Sequence, residues 1–378
     1  MIYLDNAATS FPKPRESTEA MCIAARSCAG YGRSGHAAAL RAGEIVFDCR
    51  SEIAEMFRAP SPNHVVFTLN ATMALNYAIH ALVPAGSTVC VSGYEHNSVI
   101  RPLTERNCII DIAAPCSGKK MIDVWEAHLQ KRPACAVVNH ASNVFGYLQP
   151  IEAIGRLCSW YGVPLIVDAS QSAGICEIDI SQIPNCAALC MAGHKGLWGP
   201  QGTGIMIATD LLPKCALITG GTGSRSILQR QPKEMPDLFE SGTLNLPGIA
   251  GLLESVRLVR KIGVERIAAR EKNLCERLVG HLREITGLRL IERDITGARL
   301  AVVSVTAECA PCDLVGEWLA ENGVFVRTGL HCAPIAHRTE GTLQTGTIRF
   351  SIGWLNTEQE IDSAAEILQS IVNTLSEK

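Results

Sequence analysis

The chain has 378 residues, enough for one large and one smaller domain, and 47% of them are apolar, so a large core can form without disulfides. Its net charge is −3 with both signs interspersed and no basic block, which argues against nucleic acid or an anionic membrane as a partner. No apolar run is long enough to span a bilayer, and the first six residues lack the charged-then-apolar pattern of a signal peptide. The 16 cysteines are scattered, many in apolar stretches, as buried free thiols of a reducing cytosol would be; a cytoplasmic protein is expected. Cys309-Ala310-Pro311-Cys312 and Cys186 with Cys190 have the look of metal or redox pairs. Neither has a second pair at finger-like spacing, so no metal site is expected, and a lone CxxC is weak evidence for redox work.

In chain order, residues 64–69 read as a strand and 72–80 as a helix. Residues 88–92 and 134–139 are strands. Residues 150–161 form a helix with a proline near its first turn. Residues 164–168 and 187–191 are further strands. Continuous apolar strands separated by helices predict an α/β fold, with a mostly parallel sheet covered on both faces. A long helical stretch over 249–284 should link two lobes. Strands at 298–305, 323–326 and 347–351 and a helix over 357–375 then build a smaller α/β lobe. The expected division is a large domain over 15–250, with 1–14 and 251–378 forming the small one.

Ligands in parallel α/β sheets bind beyond the carboxyl ends of the strands. Those ends carry the polar residues here: Asn70-Ala71-Thr72, Tyr94-Glu95-His96-Asn97, Asn139 to Asn143, Asp168 to Ser172, and His194-Lys195. Lys195 follows an apolar strand inside a glycine-rich turn. Alone, that setting fits a turn lysine in water at least as well as a desolvated amine ready for Schiff-base chemistry. Asp168 alone is equally an ordinary turn or cap residue, and His96 equally a core histidine. Together they supply an amine, a carboxylate, an imidazole and a helix N-terminus, which is the set pyridoxal phosphate (PLP) requires.

The chain resembles the class V aminotransferase-fold enzymes, and among them the group II cysteine desulfurases and selenocysteine lyases. The resemblance runs nearly end to end. Its motifs are Tyr3-Leu4-Asp5-Asn6-Ala7-Ala8-Thr9, Glu95-His96-Asn97, Val167-Asp168-Ala169-Ser170-Gln171 and Gly193-His194-Lys195. They continue with Glu240-Ser241-Gly242-Thr243-Leu244-Asn245, the segment from Val326 to Pro334 (VRTGLHCAP) and Thr347-Ile348-Arg349-Phe350. The resemblance implies the PLP-dependent transferase fold type I and a homodimer, with Thr243 reaching the partner's cofactor phosphate. It implies that Lys195 forms the Schiff base and shuttles the Cα proton, His96 stacks on the ring, Asp168 pairs with the pyridinium nitrogen and Gln171 contacts the ring hydroxyl. The Ala71 backbone, Thr72 and His194 would hold the phosphate. Asn143 and Arg349 would position the substrate, and Arg33 and His36 match a loop near its entrance.

Cys332 would be the nucleophile that keeps the sulfur of L-cysteine as a persulfide, releasing alanine and passing sulfur to an acceptor protein. It needs its thiolate, so Arg327, His331 or the cofactor must favour that form. The family commonly has a hydroxyl residue where this chain has Ala192, so one phosphate hydrogen bond is absent or supplied elsewhere. L-Selenocysteine as substrate, making the enzyme a selenocysteine lyase, fits the same residues. Transamination or another β-elimination leaves Cys332 without a task. A non-enzymatic thiol-rich sulfur or metal carrier leaves Lys195, Asp168 and His96 without one.

Overall fold

A computed structural model describes residues 1–32, 34–116, 118–292 and 299–377. The large lobe is built on a seven-stranded sheet. Its spatial order is Val65–Thr68, Gly204–Ala208, Cys186–Ala192, Leu165–Asp168, Cys135–Asn139, Thr88–Ser92 and Ile109–Ala113. All neighbours are parallel except Gly204–Ala208, which runs antiparallel to the strand on each side of it. The two middle strands, Cys135–Asn139 and Leu165–Asp168, are buried along their whole length. That is why they read as unbroken apolar runs: helices cover both faces and no polar face is needed.

Ile109–Ala113 has only one neighbouring strand and is mostly half-buried; the sequence reading passed over it and over the fully buried Gly204–Ala208. Two helices, Arg15–Ser27 and Ala37–Met56, pack against Leu246–Ile262 on one face. The helical stretch predicted over 249–284 is two helices, Leu246–Ile262 and Val264–Glu284. Gly263 separates them at φ 92°, a conformation that glycine adopts without strain. The domain boundary expected at residue 250 falls inside the first of these, whose Leu252, Leu253 and Val256 join the large core.

The small lobe holds a four-stranded sheet in the order Arg327–Gly329, Thr347–Ser351, Val302–Ala307, Leu288–Leu290. The strand predicted from residue 298 starts only at Val302, and Ala298 lies outside the described residues. Val264–Glu284 and Glu358–Ser376 cover this sheet, and Thr357 and Glu360 close a capping box at the start of the latter. The chain's first strand, Ile2–Tyr3, pairs in parallel with Val324–Phe325, which ties the N-terminus to this lobe.

No disulfide links the cysteines. Burial pushes the thiols of Cys158 and Cys186 up to about 12, so at neutral pH they are inert core groups. Cys312 is likewise buried, its Sγ 3.2 Å from the Thr345 carbonyl, and burial raises its pKa. Among the described residues no cluster of His, Cys, Asp or Glu has the makings of a metal site, and no helix is long and apolar enough to cross a membrane.

Candidate active site

Lys195 lies just beyond Cys186–Ala192, in a turn with no room for side chains. A Cβ on Gly193 would stand 2.3 Å from Thr203 Oγ1, and one on Gly196 would stand 2.5 Å from the Ala173 carbonyl. These glycines let the Lys195 turn seat directly against the loop that follows Asp168. Burial lowers the Lys195 pKa to about 8, with Asp168 opposing the shift and Arg349 and Arg327 adding to it. A lysine so placed holds an appreciable neutral fraction near neutral pH, unlike a surface lysine.

Asp168 ends its strand buried, and its Oδ1 accepts the Ser170 amide at 2.9 Å and the Ser170 hydroxyl. Among the described residues Oδ2 takes no hydrogen bond, which leaves one oxygen for a cationic ring N–H. Gln171 is buried and donates to the Ala7 carbonyl at 3.0 Å.

The helix Ala71–Leu82 starts beside this group. Asn70 caps it by accepting the Met73 amide at 2.9 Å. The Ala71 and Thr72 amides donate to no protein group among the described residues, so they and the helix dipole suit a phosphate. His96 caps the helix Asn97–Glu105, its Nδ1 accepting the Ser98 amide at 3.1 Å. Burial lowers its pKa to about 4, with Asp168 opposing and Lys195 and Arg327 adding to the shift. The ring is therefore neutral, as a stacking partner for a cationic heterocycle should be.

Sequence reasoning missed Ser98. Its hydroxyl lies 2.7 Å from Thr72 Oγ1 and 2.8 Å from His96 Nδ1, so two hydroxyls face the phosphate end of the site although Ala192 offers none. A serine two positions after the histidine was the available signal. His194 stands with its Nδ1 3.1 Å from Thr9 Oγ1, and burial lowers its pKa to about 4.

The small lobe brings the rest. Arg349 is buried; its Nη1 donates to the Asn143 carbonyl at 2.9 Å, its Nη2 donates to Asp5, and its Nε has no partner. Asn143 donates its side-chain amide to the His331 carbonyl at 2.8 Å, and its Oδ1 is also unpartnered. Two buried polar groups without partners, a donor and an acceptor, are the vacancies that a zwitterionic amino acid would satisfy.

Cys332 is exposed, and Arg327 Nη2 lies 3.5 Å from its Sγ. His331 and Cys332 have φ of 49° and 57°, a left-handed conformation costly for side chains of this size. Large-lobe groups hold them there: Asn143 on the His331 carbonyl and the Asn97 amide on the Cys332 carbonyl at 2.8 Å. His331 is not the cation for the thiolate. It is buried against His337, bonded to Thr347 at 3.0 Å, and burial drives its pKa down to about 2. Among the described side chains, Arg327 is the cation in contact with the Cys332 sulfur. One cavity is lined by Thr72, His96, Ser98, Arg101 and Cys332, while Lys195 and Gln171 line a neighbouring one.

Within the single chain Thr243 is exposed, and its expected place is the partner's site. His36 is exposed and caps Ala37–Met56 through the Ala39 amide. Arg33 lies outside the described residues.

The pattern of the family described as Aminotransferase class-V matches residues 2–363. A "Probable cysteine desulfurase" of Mycolicibacterium paratuberculosis is 32% identical over 96% of this chain; the chain spans 54% of that relative's length. One of Aeropyrum pernix is 30% identical, with 99% of this chain and 95% of the relative covered. Among solved structures, an apo cysteine desulfurase from Thermococcus onnurineus superposes with a TM-score of 0.89 at 26% identity, covering 99% of this chain and 95% of its own. With that family pattern running over nearly the whole chain and relatives 30% or more identical along it, the chain belongs to the class-V aminotransferase family.

Proposed function

We propose that the protein is a PLP-dependent cysteine desulfurase that takes sulfur from L-cysteine onto Cys332 and releases alanine. The observation that carries this reading is Cys332 itself: an exposed thiol beside the Arg327 guanidinium, held on a strained turn and sharing a cavity with His96 and Thr72. A transaminase has no use for that arrangement.

The residues fit the cofactor. The Ala71 and Thr72 amides, the Thr72 and Ser98 hydroxyls and His194 would hold its phosphate, Asp168 its ring nitrogen, Gln171 its ring hydroxyl and His96 its face. When bound through Lys195, PLP supplies an electron sink that makes the substrate Cα–H acidic and its Cβ–S bond labile. Arg349 and Asn143 orient the substrate, with the free Arg349 N–H on its carboxylate and Asn143 Oδ1 on its ammonium or a water. Lys195, once displaced as a neutral amine, accepts the Cα proton and returns it to carbon. Cys332 captures the sulfur: its thiolate forms an S–S bond as the substrate Cβ–S bond breaks, and the three-carbon skeleton leaves as alanine.

The persulfide then faces solvent, where an acceptor protein can reach it. A homodimer is part of the proposal. Exposed Leu217, Ile218, Ile227 and Leu228 lie on the same long irregular segment as Thr243, which supports an apolar contact there with a second copy. Thr243, Arg33 and His36 would then act at the partner's site. The test is alanine release from L-cysteine and from L-selenocysteine by wild type and Lys195→Ala. Alanine from either substrate in wild type, absent in the variant, supports the reading and shows which substrate is used. Equal alanine from both proteins contradicts it.

A further inference from the structure

The N-terminal segment crosses the site from one lobe to the other. Asp5 receives Arg349, the Ala7 carbonyl receives Gln171, and the next turn reaches the peptide immediately before Lys195. There the His194 carbonyl oxygen accepts four donors: Lys13 Nζ at 2.8 Å, Thr9 Oγ1 at 3.0 Å, the Ser10 amide at 3.1 Å and Ser10 Oγ at 3.3 Å. A carbonyl has two lone pairs, so this oxygen is more heavily bonded than its valence favours. Lys13 Nζ also donates to Ser10 Oγ at 2.8 Å and to Thr9 Oγ1 at 3.3 Å, which uses its three N–H groups.

Lys13 is half-buried and, among the described residues, has no carboxylate partner. Burial lowers its pKa to about 8. Tying down a chain terminus does not require a desolvated cation without a counter-ion, since hydroxyls and amides do that without the cost. Here the charge is placed on the one carbonyl whose peptide plane sets where the Lys195 side chain begins.

We propose that Lys13 is a positioning residue: through the His194 carbonyl it fixes the peptide from which Lys195 reaches the cofactor and substrate. The proposal rests on Lys195 being the cofactor lysine. Misplacing a reacting group by about an ångström costs on the order of a hundredfold in rate. Losing one of four bonds permits less movement, so about a tenfold loss in kcat is expected. Arginine can keep a cationic N–H on the same oxygen, and methionine cannot.

The test compares Lys13→Met and Lys13→Arg as PLP-loaded full-length proteins. Three quantities are read: kcat and KM for L-cysteine, the pH midpoint of the bound cofactor's absorption band, and, in cofactor-free protein, the pH dependence of Lys195 reductive methylation by mass spectrometry. The expected result for Lys13→Met is kcat down about tenfold with KM within about twofold. Both midpoints should rise by about half a unit, because a cation no longer opposes protonation beside Lys195. Lys13→Arg should restore all three. Unchanged kcat and midpoints in Lys13→Met overturn the proposal. If that variant does not fold, midpoints displaced in Lys13→Arg overturn it. Failure of the underlying reading is separate: the wild type would then show no PLP band and no methylation of Lys195 blocked by PLP.

Discussion

Replacing Arg349 with lysine removes the planar fork and leaves a charge in its place. In the protein the guanidinium is 1% exposed, is tied to the Asn143 carbonyl and to Asp5, and keeps Nε unpartnered. A lysine ammonium reaching the same spot would first satisfy Asp5, and its compact head cannot also span to a substrate carboxylate. The loss is one charge-assisted hydrogen bond, about 1.5–3 kcal/mol, which corresponds to roughly 13- to 150-fold in kcat/KM. That bond forms with bound substrate and persists in the transition state, so the loss should fall mainly on KM. Steady-state alanine formation from L-cysteine measures it. A kcat/KM within about threefold of wild type, or a loss confined to kcat at unchanged KM, would refute the assignment of Arg349 as the carboxylate grip.

Glu271 is buried in the small-lobe face of a cavity that also contains Lys195, and burial raises its pKa to about 8 from 4.5. A raised acid binds more protons folded than unfolded, so its contribution is intact below about pH 4.5 and is lost as pH rises through 8. Glu271→Gln should therefore match wild type near pH 5 and exceed it by a few kcal/mol near pH 9 in urea unfolding; a pH-independent difference would contradict this. Gly204 faces the start of the helix Ala71–Leu82, and a Cβ there would stand 2.3 Å from the Asn70 backbone. Gly204→Ala should push that helix outward, destabilise by about 1–3 kcal/mol and weaken PLP binding about tenfold or more; unchanged PLP affinity and melting temperature would show that the helix start does not hold the phosphate.

Apolar runs revealed the central strands because burial on both faces leaves no polar positions in them. Ile109–Ala113 and the buried Gly204–Ala208 are apolar runs too and were readable in principle; that Gly204–Ala208 runs antiparallel was not, because strand direction is a property of the connection. The helix break at Gly263 was readable in principle, since glycine there follows Arg260 and Lys261 in a last turn. In the site, Lys195, Asp168 and His96 stood at or just beyond strand ends and were legible through the cofactor's chemistry, whereas Arg349, in the middle of the strand Thr347–Ser351, was reached only through the family resemblance. Asp5, Lys13 and Ser98 were not, because each acts through a contact made by folding: Asp5 meets Arg349 from the opposite end of the chain, and Lys13 meets a carbonyl beyond the whole parallel sheet. His331 misled for the same reason. Beside Cys332 in sequence it looked like a cation, whereas its ring is turned into the core and kept neutral.

Sulfur capture by Cys332 is tested most directly by mass spectrometry of the intact protein after a single turnover with L-cysteine, wild type beside Cys332→Ser. If Cys332 is the acceptor, wild type gains one sulfur atom on the peptide containing Cys332 and releases one alanine, and the serine variant binds PLP normally yet does neither. Alanine release undiminished in Cys332→Ser, or the added sulfur found on another cysteine, would contradict it.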